Sequence, residues 1–348
     1  MFEIHTVQGH PSLIPKNSPA NSPKDYRPIS LLGILSKVLE RHVHSIISQH
    51  LAQHHPLSNS QWGFQSGKST VSALLTTMDS WLRTIEEGGD VGAVFFDLRK
   101  AFDSVPHKPL IDKLEQTGIS THILNWVTDY LTDREQKVVI NGVCSSSEPV
   151  LSGVPQGSVL GPLLFLIYVD ELACLPLSDG SQCVLYADDL LLFRPVKDHM
   201  DIQCLQNDIS SVEEWVQHNY LTLNTSKCKS MIVSRKKSQP YPSTLTLGGQ
   251  RLEQVESFKY LGVLLSSNLS FSQHIQTICA KARKILGLLY RRFYKNTSNE
   301  ALLQLYISLV RPHLEYASPV WNPYLKKDIK QLEDVERRRV PIAVKEDR

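Results

Sequence analysis

Val184-Leu185-Tyr186-Ala187-Asp188-Asp189-Leu190-Leu191-Leu192-Phe193 is the stretch on which the reading of this chain turns. Two adjacent acids split a run of residues suited to burial. Taking an ionised carboxylate out of water without a partner costs several kcal/mol, and a like charge beside it adds to the cost. Three arrangements resolve the conflict. The run can fold as a hairpin whose tip exposes both acids. A buried base can pair with them, although the nearest, Arg194, stands five residues beyond Asp189. Or a divalent cation can turn a costly site into a favourable one.

A second apolar run, Val91 to Phe96, follows Gly88-Gly89-Asp90 and ends in Asp97, with Asp103 six residues further on. Its length and flanks indicate a buried strand. If it lies beside the 184–193 hairpin in one sheet, Asp97 and Asp188 face each other at the strand ends. Mg²⁺ is bound by one or two carboxylates together with substrate phosphates. Two such ions about 3.5–4 Å apart clamp the attacking and leaving oxygens of a phosphoryl displacement. Three aspartates on two strands suit that chemistry.

The flanking sequence supplies the scaffold. To about Asp25 the chain is rich in Pro, Asn and Ser and reads as an extended arm. Leu35, Val38, Leu39, Val43, Ile46, Ile47 and Leu51 recur at helical spacing and predict an amphipathic helix; Val71, Leu74, Leu75, Met78, Leu82 and Ile85 predict a second. Helical sequence runs from Pro106 to about Leu131, and Asn141-Gly142 predicts a tight hairpin turn. The loop Ser152–Pro162 leads into an apolar helix from about Leu163, followed by a helix carrying Ile202, Leu205, Ile209, Val212, Trp215 and Val216, and by a strand at Met231–Val233. Strands interleaved with helices predict an α/β or α+β core. From about Gln273 the chain becomes helical and basic, which places a boundary near 266–273. Cys279 to Arg348 hold 15 basic and 8 acidic residues, whereas the whole chain sets 37 Lys+Arg against 35 Asp+Glu for a net +2. Such a basic segment suits a polyanionic partner.

Several classes are excluded. With 348 residues, 41% apolar and 21% charged, the chain has the composition of an ordinary folded protein. Its longest apolar stretch, Val159 to Val169, contains Gly161 and Pro162 and falls well short of the ~20 residues of a membrane span. The first residues show no secretory signal. Six cysteines without a Cys-x-x-Cys pair read as reduced thiols of an intracellular protein. His50 and His54 lie one helical turn apart but have no neighbours at zinc spacing, so they read as a polar helix face. Gln65-Ser66-Gly67-Lys68-Ser69-Thr70 imitates the end of a phosphate-binding loop. The first glycine of that motif would fall on Trp62, so the segment reads instead as a loop capping a helix that begins near Ser69.

Tyr186-Ala187-Asp188-Asp189 resembles the signature of reverse transcriptases, and its surroundings are similar to those encoded by non-LTR (LINE-type) retrotransposons. The matching segments run in family order: Tyr26-Arg27-Pro28-Ile29-Ser30-Leu31-Leu32, Gln61-Trp62-Gly63-Phe64, Phe96-Asp97-Leu98-Arg99-Lys100-Ala101-Phe102-Asp103, Ser152-Gly153-Val154-Pro155-Gln156-Gly157-Ser158, the Asp-Asp hairpin, Asn224 to Lys229, and Phe258-Lys259-Tyr260-Leu261-Gly262. They span roughly residues 13–265, and Arg311-Pro312-His313-Leu314-Glu315-Tyr316 continues the likeness.

The resemblance implies an α+β right-hand polymerase, with fingers and a palm bearing a mixed or antiparallel sheet over 1–265 and a helical thumb-like segment over 266–348. It implies an RNA-directed DNA polymerase that joins dNTPs to a primer 3′-hydroxyl on an RNA template, with two Mg²⁺ ions for which Mn²⁺ can substitute. Asp97 and Asp188 would be the direct metal ligands and Asp189 an auxiliary one. Lys227, with Lys229 as competitor, would be the general acid that protonates pyrophosphate. Arg27 would grip the triphosphate, Phe102 would exclude a ribose 2′-hydroxyl, and Gln156 would lie against the nascent base pair. Gly153, Gly157, Phe258, Tyr260 and Gly262 would shape the template and primer path, and Lys281, Arg283, Lys284, Arg291 and Arg292 would face nucleic-acid phosphates. The abrupt start and finish read as a truncated copy of a longer element. An inactive nucleic-acid-binding relic is the alternative.

Overall fold

A computed structural model describes residues 11–15, 26–30, 32–137, 139–140, 143–236, 244–293 and 297–337. At its centre is a mixed five-stranded sheet. The strand Asp90–Asp97 pairs antiparallel with Asp189–Val196 on one side and with Lys229–Val233 on the other. Gln182–Tyr186 closes one edge, antiparallel to Asp189–Val196, and Glu253–Gln254 closes the other, parallel to Lys229–Val233. The central strand lies under cover on both faces, which is why it reads as a continuous apolar run rather than an alternating one.

Alternate side chains of the central strands enter two different cores. Val94, Phe96, Leu190, Leu192 and Ile232 pack with helices Ile34–His54, His107–Gln116, Thr121–Leu131, Leu160–Val169 and His199–His218. Val91, Ala93, Phe95, Leu191, Phe193, Met231 and Val233 pack with helix Thr70–Glu86, the hairpin Ser257–Ser266 and the helices beyond it. This period of two is the pleat of the sheet expressed in packing.

The predicted helices form, with corrections to their buried faces. Helix Ile34–His54 buries Val43, Ile47 and Leu51, but Leu35 (85% exposed), Val38 (57%) and Leu39 (38%) stand in the open because its first turns project past the core. In helix Thr70–Glu86 the buried stripe runs through Leu74, Met78, Trp81 and Ile85, while Leu75 turns outward. The helical stretch after Pro106 is two helices separated at Gly118, whose φ of 73° lies in the left-handed region that favours glycine. Ser69 caps helix Thr70–Glu86 in a reciprocal capping box with Ser72, so the phosphate-loop imitation is a helix start. Val139–Ile140 pairs with Val143–Cys144 as expected of a hairpin, and the turn Asn141-Gly142 lies outside the described residues. His50 serves a structural contact, its Nε2–H donating to the Thr117 carbonyl oxygen at 2.7 Å. Among the described residues no helix is long and apolar enough to cross a membrane.

Beyond Ser266 the described residues are mainly helical, from Ser272–Phe293 to Lys326–Arg337. It is tied back to the sheet domain by polar contacts. The Tyr316 hydroxyl donates to the Leu261 carbonyl (2.9 Å) and accepts from the Thr70 hydroxyl (3.0 Å). Buried His274 accepts the Leu264 amide on Nδ1 at 3.2 Å. Burial lowers its pKa to about 4 and keeps the ring neutral, as an acceptor must be.

One buried carboxyl braces the helix that follows the Ser152–Ser158 loop. Glu40 (1% exposed) accepts the amides of Val159 (2.7 Å) and Leu160 (3.1 Å), two donors at the start of helix Leu160–Val169 that the helix itself leaves unserved. Burial and the charge of Glu40 push the nearby Tyr130 hydroxyl up to about 12. Glu40→Ala strands both donors and is expected to lower the unfolding free energy by about 1–3 kcal/mol. Urea denaturation checks this, and an unchanged midpoint contradicts the brace.

Candidate active site

The site is built by register. Asp97 is paired directly with Asp189 across the central strands, and the two-residue turn Ala187-Asp188 joins Tyr186, itself opposite Asp189, to the returning strand. Ala187 has φ 57°, so the turn holds a non-glycine residue in the left-handed region and carries Asp188 at the lip of the sheet. On the other flank Lys229 pairs with Phe95, and continuing that antiparallel register by two residues sets Lys227 opposite Asp97. Its Nζ is 3.3 Å from Asp97 Oδ2 and 3.4 Å from Oδ1. Like charges directly opposite in a sheet destabilise it, and here they gather at one end of the most buried strand.

Local hydrogen bonds fix Asp97 from behind. Its carbonyl accepts the Asn224 amide (2.8 Å), its amide meets the Cys228 sulfur (3.4 Å), and Arg99 N–H donates to the Thr222 carbonyl (2.7 Å). Asn224 in turn accepts the amides of Lys227 and Cys228, forming the turn that delivers Lys227. Lys229, the competitor, also lines the cavity described below, but its ammonium donates to Glu253 and to the Ser226 carbonyl, both at 2.7 Å. The geometry thus separates two lysines that the sequence left open.

Asp97 and Asp189 line a cavity of about 380 Å³ whose roof is Phe258, Lys259 and Tyr260 and whose rim includes Lys227. Asp188 stands at the turn beside it. Phe258 stacks on Phe95 (centroids 4.1 Å apart, 20° between planes) and Tyr260 tilts against the same ring at 5.6 Å. Tyr260 is buried; burial and then the charge of Asp189 raise its pKa. The roof hairpin turns at Leu261 (φ 43°) and Gly262 (φ 86°), both in the left-handed region that a tight two-residue turn requires. A Cβ on Gly262 would sit 2.8 Å from the Tyr316 ring.

The remaining predicted residues form a second wall. Gln156 Nε2 donates to Asp103 Oδ1 (2.7 Å), and its carbonyl accepts the Ser30 amide (2.8 Å). Gly153 and Gly157 admit close approach, in this structure of the chain to itself: added Cβ atoms would lie 2.8 Å from Asp103 backbone and 2.9 Å from Ile29. Phe102 stacks on Phe165 at 4.4 Å and takes the edge of exposed Phe64 at 6.2 Å. Arg27 lies on Tyr26–Ser30, opposite Ile14, and its side chain is outside the described residues. Of the basic residues on helix Ser272–Phe293, Lys281, Lys284, Arg291 and Arg292 are exposed, while Arg283 donates to the Gln331 carbonyl.

The donor set suits a hard divalent cation: aspartate oxygens from two strands, with cationic Lys227 already drawn to one of them. Among the described residues no three acids, histidines or cysteines, the three aspartates included, form a group that could hold a metal ion by themselves. A cation here would complete its shell from a substrate. Sequence reading missed Tyr316 as a strut under the roof turn, and it missed the Asp103–Gln156 bond. Spacing carries no signal for either, since both join segments far apart in the chain.

A family model described as reverse transcriptase (RNA-dependent DNA polymerase) matches residues 14–265. A probable RNA-directed DNA polymerase from transposon BS of Drosophila melanogaster is 30% identical over 330 residues, covering 92% of this chain and 36% of that protein. A probable RNA-directed DNA polymerase from the X-element transposon of the same fly is 30% identical over 327 residues, with the same coverage of each. The RNA-directed DNA polymerase of mobile element jockey from Drosophila funebris is 29% identical over 89% of this chain and 35% of its own. The chain thus spans about a third of the length of the curated relatives it matches. Among solved structures, apo telomerase from Candida tropicalis superposes with a TM-score of 0.54 at 12% identity, over 96% of this chain and 62% of that one. Telomerase from Candida albicans, solved with a fragment of telomeric RNA, gives 0.51 at 15% over 97% and 58%. At such identities the likeness is one of fold, the right-hand fold of polymerases. With the matching model covering most of its length, the chain belongs to the reverse transcriptase family.

Proposed function

We propose that this chain is the polymerase portion of an RNA-directed DNA polymerase, extending a DNA primer on an RNA template with dNTPs. The observation that carries the reading is the pairing of Asp97 with Asp189, with Lys227 opposite, all three lining one cavity, and with Asp188 in the adjoining turn outside that lining. Reverse transcriptases use divalent metal ions, commonly Mg²⁺, and the aspartate oxygens are the groups to hold a pair of them. Bound there, the ions would favour the primer 3′-alkoxide and offset the charge of the leaving pyrophosphate.

The chain's own residues do the rest. Asp97 and Asp188 would hold the cations, with Asp189 in support. The primer 3′-hydroxyl gives up its proton to solvent and its oxygen forms a bond to the α-phosphorus as the bond from that phosphorus to the α,β-bridging oxygen breaks. Lys227 gives the departing pyrophosphate a proton, a role favoured for it over Lys229 by the latter's engagement with Glu253. Phe102, backed by Phe165, forms the floor under the sugar, and Arg27 grips the triphosphate by paired hydrogen bonds. Gln156, set by Gly153 and Gly157, lies along the nascent pair. Phe258, Tyr260 and Gly262 support the primer end. Residues 1–265 are fingers and palm, and 266–348 a thumb whose exposed Lys and Arg face phosphates in a sequence-independent, salt-sensitive manner.

Asp188→Asn is expected to slow primer extension on the order of 10²–10⁴-fold, the loss of several kcal/mol at ~1.4 per decade. Asp189→Asn is expected to cost less. Steady-state extension assays check both, and an Asp188→Asn enzyme as fast as wild type removes that residue from the chemistry. Wild-type protein that binds primer–template without extending it is a nucleic-acid-binding relic. Phe102→Val is expected to admit ribonucleotides; unchanged rejection of rNTPs in single-nucleotide incorporation would end its role as a gate.

A further inference from the structure

The segment Gln61-Trp62-Gly63 has no part in the chemistry above, yet it forms the outer edge of the catalytic hairpin. Ser60 accepts the Leu185 amide through its carbonyl (2.8 Å), and the Trp62 amide donates to the Leu185 carbonyl (2.7 Å). Between these two bonds Gln61 is wholly buried. Its Oε1 accepts two amides, that of Gly63 at 2.8 Å and that of Ala187 at 3.0 Å. Both neighbours are backbone donors, so it is the carboxamide oxygen that must face them.

Four observations converge on the Ala187 amide. Ala187 is buried, so an unserved amide there would be costly. Its φ of 57° is one that an alanine holds only when its surroundings insist. Gly63 leaves no room for the turn to move inward, since a Cβ on it would sit 2.5 Å from Ala187 N. The strut is itself anchored: Lys68 Nζ donates to the carbonyls of Gln61 (2.7 Å) and Asn59 (3.0 Å) and lies over the Trp62 ring. Meanwhile Gln61 Nε2 is buried with no partner among the described residues. An apolar side chain of the same size would fill this space without that cost. What only Gln61 supplies is the acceptor.

We propose that Gln61 is a positioning residue for the catalytic turn: by holding the Ala187 amide it sets where Asp188 stands. The inference rests on the polymerase reading of Asp188, and it deepens that reading. A carboxylate displaced by about 1 Å can cost two decades of rate, and a loosened cation site demands more cation.

Amide exchange resolved at Ala187, together with the Mg²⁺ dependence of primer extension, tests this in wild type, Gln61→Leu and Gly63→Ala. In the wild type the Ala187 amide is expected to exchange as slowly as the amides of Ala93–Phe95; exchange at the rate of an open turn overturns the proposal without any variant. In Gln61→Leu the Ala187 amide is expected to exchange at least tenfold faster while Ala93–Phe95 stay protected. Turnover is expected to fall 10–100-fold, with half-saturating Mg²⁺ raised at least threefold and KM for dNTP within twofold. Gly63→Ala is expected to shift the same quantities in the same direction. Unchanged Mg²⁺ dependence, or equal losses in turnover and dNTP affinity, would leave Gln61 as packing and overturn the proposal. If the wild type extends no primer, the polymerase reading fails, while exchange at Ala187 still decides whether Gln61 holds the turn.

Discussion

Two carboxylates of like charge face one another at the end of the most buried strand pair, Asp97 against Asp189, with a third, Asp188, at the adjoining turn. A sheet does not gain stability from such a pairing. The fold holds it by anchoring each acid through its backbone. The 90–97 strand is pinned on both sides in long antiparallel ladders, and the Asn224–Cys228 turn grips Asp97 from behind while presenting Lys227. Positive charge brought by ligands would make the assembly of these acids favourable.

Around this point the structure adds strained turns and polar struts to its apolar packing. Ala187 and Leu261 occupy left-handed backbone at the tips of the two hairpins that face the cavity. Each tip is held by a side chain from elsewhere in the sequence, Gln61 at the first and Tyr316 at the second. Glu40 does the same for the start of the helix after the Ser152–Ser158 loop. Apolar cores above and below the sheet provide most of the stability, but they are non-directional. It is the hydrogen bonds that fix positions at the fraction of an ångström that phosphoryl transfer requires.

Much of this was legible in the sequence, for identifiable reasons. A strand covered on both faces writes a continuous apolar run, so Val91–Phe96 was readable, and the acids breaking 184–193 marked a turn because burial forbids them elsewhere. The helix that starts at Ser272 showed in the turn to helical, basic sequence from about Gln273. Less legible was which part of an apolar helix stripe finds a partner: Leu35 and Val38 share the period of Val43 and Ile47 but run beyond the core. Periodicity reports a face, and only tertiary packing reports its extent. The choice between Lys227 and Lys229 needed a strand register and the position of Glu253. Gln61 and Glu40 were invisible as buried acceptors, since a buried amide or acid is spelled like an exposed one and its partners are backbone groups without a letter of their own.

On the proposed reading, Asp97 and the 188–189 turn jointly hold a pair of divalent cations. Electron paramagnetic resonance of Mn²⁺ titrated into the protein with dNTP and a primer–template ending in a 3′-deoxy nucleotide tests it directly. On that reading two ions per chain with the spectrum of a spin-coupled pair are expected, and loss of that spectrum in Asp97→Asn. Binding of no ion or of isolated ions only, or a coupled pair that survives the loss of Asp97, would contradict it.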